Sequence, residues 1–121
     1  MKSSELEHLY VHIPFCDGKC VYCAFYSELY ETSSVDRYLK ALEKELDVSY
    51  AACKATPTTI YFGGGTPSIL AEEELERLVQ LVRRRFVLDH LQEWTIEANP
   101  GSLSPGKLKI LKAAGVSRIS I

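Results

Sequence analysis

Three cysteines lie within eight positions near the start of the chain, at Cys16, Cys20 and Cys23. Thiolates favour zinc, copper(I) or iron-sulfur centres. A structural zinc site takes four protein ligands, usually from two paired spacings, and the sequence contains no second pair. His12 and Cys53 are candidates for a fourth ligand, but neither has a spacing that supports that role. Three cysteines in one loop instead predict a [4Fe-4S] cluster with three irons held by the protein and one iron open to another ligand.

The composition limits the classes of protein that fit. The chain of 121 residues has a formal net charge of -2, which gives no broad basic surface, so general nucleic-acid binding is unsupported. No apolar stretch approaches the ~20 residues that span a bilayer, and the polar first residues do not resemble a signal peptide. We therefore expect a cytoplasmic protein with no membrane span. In that reducing compartment, four cysteines favour metal binding or catalysis over disulfides.

Hydrophobic patterning predicts strands and helices in alternation. The first helix carries apolar residues at steps of four, three and four, with Ser33 and Ser34 as candidate caps. The second helix opens with acidic residues and closes with basic ones, and the third follows a Ser104 cap and ends at Gly115. This alternation predicts an α/β fold with a parallel sheet and right-handed crossovers. The predicted strands are residues 9–13, 58–62, 94–98 and 118–121, and the second helix is Glu72–Arg85.

Three distinctive segments each follow a predicted strand. They are the cysteine loop after the first strand, GGGTPS after the second and EANPG at the end of the third. Glycine and proline mark turns in many places, so either of the last two segments alone would indicate only a turn. Ligands of parallel α/β folds bind at the carboxyl ends of the strands. The coincidence of the three segments therefore predicts one shared site at that end of the sheet.

The cysteine spacing Cys16-x3-Cys20-x2-Cys23 resembles the signature of the radical S-adenosylmethionine (SAM) superfamily. The segments YVHIPFC, GGGTPS, EANPG and GVSRISI resemble one branch, the oxygen-independent coproporphyrinogen III oxidase family with its heme chaperone members. The resemblance covers residues 9–121. It implies that residues 1–121 are the N-terminal portion of a radical SAM core domain, truncated in the fourth strand. That portion comprises about four strands and three helices of a partial (β/α)6 TIM-like barrel.

The resemblance also implies two cofactors and the residues that hold them. The three cysteines match the ligands of a [4Fe-4S] cluster, whose open iron binds the amino and carboxylate groups of SAM. Glycines in the second segment would let the backbone approach SAM closely. The positions that match SAM contacts are Tyr10, Tyr22, Gly64, Gly65, Thr66 and Glu97. Structural roles are alternatives for two of them, because Glu97 could cap a turn and Tyr10 could pack on the sheet.

Three functions from different classes are compatible with these features. Members that oxidise coproporphyrinogen carry a further cysteine two positions after the third, where this chain has Phe25. The resemblance therefore implies a heme chaperone, whose full-length form binds heme or a porphyrin and delivers heme to an acceptor protein. The acceptor and the electron donor are unknown. Coproporphyrinogen III oxidase, an oxidoreductase of porphyrin biosynthesis, is the alternative, and a small structural zinc-binding α/β domain is the second alternative.

Overall fold

A computed structural model describes residues 7–16, 28–29, 31–50 and 55–121. Short 3-10 helices follow two of the strands, at Pro67–Ile69 and Pro100–Ser102. In chain order, the elements within these ranges are β1 (His8–Ile13), β2 (Phe15–Cys16), β3 (Glu28–Leu29), α1 (Thr32–Tyr50), β4 (Thr59–Gly64), α2 (Glu72–Arg85), β5 (Glu93–Glu97), α3 (Pro105–Ala114) and β6 (Arg118–Ser120).

β1, β4, β5 and β6 form one parallel sheet in that order. The register places Ile13 of β1 opposite Gly64 of β4, and Glu97 of β5 opposite Ser120 of β6. Because the four strands run in the same direction, their last residues lie along one side of the sheet, which we call its carboxyl end. The sheet and its three helices confirm the predicted α/β fold.

The two faces of the sheet differ in polarity. Side chains of β1 alternate strictly, with Leu9, Val11 and Ile13 buried and His8, Tyr10 and His12 exposed. The buried face packs against the helices, where Leu75 of α2 has no exposed surface. Phe62 of β4 and Trp94 of β5 meet there edge to face, with ring centroids 5.5 Å apart. The opposite face therefore carries the polar side chains that can meet a ligand.

The first helix begins earlier than its predicted caps. α1 starts at Thr32, and the Val35 N–H donates to the Glu31 carbonyl at 3.0 Å, which closes the first turn around both serines. Ser33 and Ser34 therefore lie inside the helix and do not cap it. This correction has a simple physical reason, since serine at the first helical positions costs little and the turn can form one residue upstream.

The strand boundaries also shift slightly. β4 continues through two glycines to Gly64, because the ladder with β1 continues past the predicted end at residue 62. β5 ends at Glu97 and β6 at Ser120, each one residue before its predicted end. Ser104 caps α3 as predicted, accepting from the Lys107 N–H at 3.2 Å, and Gly115 ends it with φ at 115°.

A second, two-stranded sheet has no counterpart among the predicted elements. β2 and β3 pair in parallel, with Phe15 opposite Glu28 and Cys16 opposite Leu29. Strands of two residues are too short for an alternating pattern to reveal them. Cys16, predicted to lie in a loop, therefore lies in a strand, and residues 17–27 begin and end at this pair.

Candidate cofactor site

The segment GGGTPS, here the glycine segment (residues 63–68), is fixed to the first two strands by its main chain. The Gly65 N–H donates to the Ile13 carbonyl at 2.9 Å, and the Thr66 N–H donates to the Phe15 carbonyl at 2.6 Å. A Cβ atom at Gly65 would lie 2.3 Å from the Phe15 carbonyl oxygen, and Gly64 has φ at 117°, a conformation that only glycine adopts easily. The fold itself therefore requires glycine at both positions, whatever ligand approaches them.

Cys16 lies beside the glycine segment because it directly follows Phe15. Its side chain is half-buried. Phe15 is almost fully buried and meets the Tyr38 ring edge to face at 5.6 Å, while the Tyr38 hydroxyl donates to the His12 carbonyl. α1 thus holds the strand end from which Cys16 projects. The other two predicted cluster ligands, Cys20 and Cys23, and the predicted SAM contact Tyr22 lie outside the described residues.

Glu97 ends β5 and makes two hydrogen bonds to β4. The Tyr61 hydroxyl donates to Oε2 at 2.7 Å, and the Gly64 N–H donates to Oε1 at 3.1 Å. The hydrogen bond to the carboxylate raises the pKa of Tyr61, so the phenol stays protonated and able to donate to a higher pH than an ordinary tyrosine does. The carboxylate is therefore held in place by one donor on each oxygen before any ligand binds.

Tyr10 extends this group of side chains to β1. Its ring stacks on that of Tyr61, with centroids 5.9 Å apart and an interplanar angle of 16°, and 57% of its surface is exposed. Burial of the remainder, and then the charge of Glu97, raise the pKa of Tyr10. Gly63 makes room for the group, since a Cβ there would lie 3.0 Å from the Tyr10 hydroxyl and 3.1 Å from Glu97 Oε1. We call Tyr10, Tyr61 and Glu97 the tyrosine–glutamate cluster.

A cleft of about 500 Å³ opens at the carboxyl end of the sheet. It lies between the glycine segment and the asparagine segment (EANPGS, residues 97–102), and β6 forms its far side. The residues that line it are Gly65, Thr66, Glu97, Ala98, Asn99, Pro100, Ser120 and Ile121. Three predicted SAM contacts therefore share one cleft. Gly64 and Tyr10 adjoin it through the tyrosine–glutamate cluster.

Two residues of this face were not predicted from the sequence. Tyr61 bonds Glu97 across the sheet, and Arg118 of β6 places a cation on the same face, donating to Thr95 Oγ1 at 3.4 Å. Residues two positions apart on a strand lie on the same face of the sheet. Tyr61 lies two positions before Gly63, and Arg118 lies two positions before Ser120, so the sequence could have placed both side chains on the face of the site. That signal becomes specific only once the register of the strands is known.

Within the described ranges, no three His, Cys, Asp or Glu side chains gather as a metal site would require, and two of the predicted ligands lie outside those ranges. None of the helices in the part of the chain that the structure describes is long and apolar enough to cross a membrane.

Curated relatives extend well beyond the length of this chain. It is 45% identical over 118 residues to "Heme chaperone HemW" of Bacillus subtilis, covering 95% of this chain and 31% of that protein. It is 41% identical over 116 residues to HemW of Escherichia coli, covering 93% and 30%. It is 33% identical over 114 residues to "Radical S-adenosyl methionine domain-containing protein 1, mitochondrial" of Danio rerio, covering 93% and 26%. The chain thus spans 26% to 31% of the length of these three relatives.

A solved structure and a family model identify the fold. The chain is similar to coproporphyrinogen III oxidase (HemN) from Escherichia coli, whose structure is described as that of a radical SAM enzyme. The TM-score is 0.85 at 31% identity, covering 98% of this chain and 28% of that one. This likeness confirms that the four strands and three helices correspond to part of a radical SAM barrel. The sequence model of the Radical SAM superfamily matches residues 10–121, and the chain belongs to that superfamily.

Proposed function

We propose that this chain is the N-terminal part of a radical SAM-type heme chaperone that acts in the cytoplasm. Membership of the superfamily implies SAM and an iron-sulfur cluster as cofactors. Relatives 41% and 45% identical to this chain are named heme chaperones, and Phe25 stands where coproporphyrinogen-oxidising members carry a cysteine. In this proposal, residues 1–121 are the first portion of a longer core domain, and the full-length protein binds heme and delivers it to an acceptor.

The observation that carries the proposal is the shared position of Gly65, Thr66 and Glu97 on one cleft, with Cys16 beside it. A cleft of about 500 Å³ has the size of a small-molecule site. Glu97 lines it, and each of its oxygens, after accepting one hydrogen bond, retains a lone pair for an N–H donor of a ligand. The residues present therefore fit the amino end of SAM.

Each residue has a distinct role in this proposal. The cysteines bind three irons of the [4Fe-4S] cluster, the glycine segment presents its main chain to the methionine part of SAM, and Glu97 binds its amino group. Tyr10 and Tyr22 make further contacts with SAM. When bound, the cluster and SAM supply one-electron chemistry at a sulfonium centre. The residues concerned are Cys16, Cys20, Cys23, Tyr10, Tyr22, Gly64, Gly65, Thr66 and Glu97.

Anaerobic reconstitution of the full-length protein with iron and sulfide tests the cluster. We expect about four irons per chain and a visible iron-sulfur absorbance. Cys20→Ala should lose both, whereas Cys53→Ala, which removes the cysteine outside the motif, should keep both. Equal iron content in the two variants would contradict the proposed ligands. A protein that binds zinc alone, with no visible absorbance, would instead support the structural zinc domain.

Heme transfer and porphyrin oxidation are separated by a second experiment. The structural likeness to coproporphyrinogen III oxidase favours oxidation as the second candidate function. Reconstituted protein is incubated with SAM, a reductant and coproporphyrinogen III, and in parallel with heme and an apo-hemoprotein. We expect heme to bind and transfer, with no protoporphyrinogen formed. Accumulation of protoporphyrinogen IX would contradict the proposed chaperone function and support the oxidase function.

A further inference from the structure

A lysine of α3 joins the two segments that border the cleft. The Lys107 Nζ donates to the Ser68 carbonyl at 2.8 Å and to the Ser102 carbonyl at 2.7 Å. Ser68 ends the glycine segment and Ser102 ends the asparagine segment, so one ammonium group bridges the main chains of both. Ser104 Oγ holds the main chain at Lys107 by accepting a hydrogen bond from the Lys107 main-chain N–H at 3.2 Å. The bridge is therefore anchored to a capped helix.

A ring of hydrogen bonds joins the same segments a second time. The Asn99 N–H donates to Ser68 Oγ at 3.0 Å, and the Ser102 hydroxyl donates to the Asn99 carbonyl at 3.0 Å. The two serine hydroxyls lie 2.5 Å apart. Because the Ser102 proton is committed to Asn99, the Ser68 hydroxyl must donate to Ser102, which closes the ring. Ser68 is fully buried, so water cannot replace these bonds easily.

Of the residues in these contacts, Asn99 lines the cleft, whereas Ser68, Ser102 and Lys107 do not. Thr66 lines the cleft and lies two residues before Ser68 in the glycine segment. In the asparagine segment, Glu97 and Asn99 both line the cleft and lie two residues apart. Lys107 is absent from the lining among the described residues. Loss of hydration around its half-buried ammonium group lowers the pKa of Lys107, and the negative charges of Glu72 and Glu74 on α2 offset only part of that decrease.

We infer that Lys107 is a positioning residue for the cleft: its ammonium group holds the glycine and asparagine segments at the separation at which Thr66 and Glu97 contact one ligand. This inference rests on the proposed function, since the ligand is SAM. A neutral donor with one proton could satisfy only one of the two carbonyls, whereas an ammonium group with three protons satisfies both. Loss of the bridge leaves only the ring of Ser68, Asn99 and Ser102 to hold the two segments together, and it removes no group that touches SAM.

The test compares Lys107→Met with Lys109→Met in the full-length protein. Lys109 lies on the same helix and has an exposed side chain, so Lys109→Met removes the same charge but leaves the Lys107 bridge intact. Amide hydrogen exchange is measured before and after anaerobic reconstitution, and SAM affinity is measured by equilibrium dialysis after it. In Lys107→Met we expect the Asn99 amide to exchange about tenfold faster and SAM to bind about tenfold more weakly, the change expected when a charged donor is lost. Amides of the central ladder, such as that of Ile96, should exchange as in Lys109→Met.

The two readouts separate the inference from the proposed function. If the unsubstituted protein binds no SAM, the proposed function is wrong, and this positioning role falls with it even where exchange at Asn99 changes. If the unsubstituted protein binds SAM and Lys107→Met matches Lys109→Met in exchange and affinity, the inference alone is overturned. Uniformly faster exchange across the ladder would also overturn it, by showing a general loss of stability. Should Lys107→Met fail to fold, Lys107→Arg is judged by the same criteria, because it keeps the charge but places its donors differently.

Discussion

Gly65→Ala introduces a methyl group that meets main chain instead of a side chain. Its Cβ would lie 2.3 Å from the carbonyl oxygen of Phe15 and 2.8 Å from the carbonyl carbon. Neither atom can rotate away, because the Gly65 N–H bonds the Ile13 carbonyl and the Thr66 N–H bonds the Phe15 carbonyl. The substitution must therefore push the glycine segment away from β2 and from Cys16.

The expected loss of stability follows from these contacts. Overpacking of a closely packed site costs about 1–3 kcal/mol. Breaking the two main-chain hydrogen bonds adds about 0.5–1.5 kcal/mol each. Together they predict a decrease of about 2–6 kcal/mol in the free energy of unfolding, a large part of the ~5–15 kcal/mol that stabilises a typical domain.

Gly101→Ala is the matched control, because the nearest atom to its added Cβ is a side-chain oxygen, Asn99 Oδ1, at 3.4 Å. We expect that variant to stay within about 0.5 kcal/mol of the unsubstituted protein. Urea unfolding of each variant is followed by the fluorescence of Trp94, which is fully buried and is the single tryptophan of residues 1–121. A Gly65→Ala variant within about 1 kcal/mol of Gly101→Ala, at an unchanged dependence on urea, would refute the reasoning about the Phe15 contact.

Three further outcomes follow from single contacts. Glu97→Gln should lower the pKa of Tyr61, measured by ultraviolet difference titration with Tyr61→Phe as the reference, and an unchanged titration would contradict the contact. Because folding raises the pKa of Tyr61, the stability that this residue contributes is present below about pH 10 and is lost as the pH rises through the folded-state pKa. Tyr38→Phe should lower the free energy of unfolding by about 0.5–1.5 kcal/mol, because the His12 carbonyl loses its donor; no loss in urea unfolding would show that α1 does not hold β1 through this bond. Leu75→Ala should cost about 2–5 kcal/mol by leaving a cavity in the core, and a loss below that range would mean that α2 can move inward to fill it.

The helices and the main sheet were largely predictable from the sequence. α2 matches its prediction, because its acidic first turn, basic last turn and apolar positions all indicate the same ends. The four main strands also match within two residues. The misplaced start of α1 shows the limit of local signals, since Ser33 and Ser34 are good caps but the turn closed on Glu31 instead.

The candidate site was predictable in its residues but not in its contacts. Glu97 and Gly65 follow from motifs, yet the Tyr61 hydroxyl that holds Glu97 comes from another strand, 36 positions away. The requirement for glycine at residue 65 likewise comes from the Phe15 carbonyl, far from it in sequence. The alternation of hydrophobicity specifies the face of the sheet on which a side chain lies, but not which residue of another strand it meets there.

The pairing of β2 with β3 bears on the order of folding and metal loading. Phe15 pairs with Glu28 and Cys16 pairs with Leu29, so formation of this two-stranded sheet brings together the two ends of residues 17–27. Under the proposed function, the entropy of bringing those ends together would therefore be lost during folding and not during binding of the cluster. In zinc fingers, by contrast, the ion itself drives folding. We expect apoprotein to keep its sheet and to accept iron and sulfide as a late step of maturation.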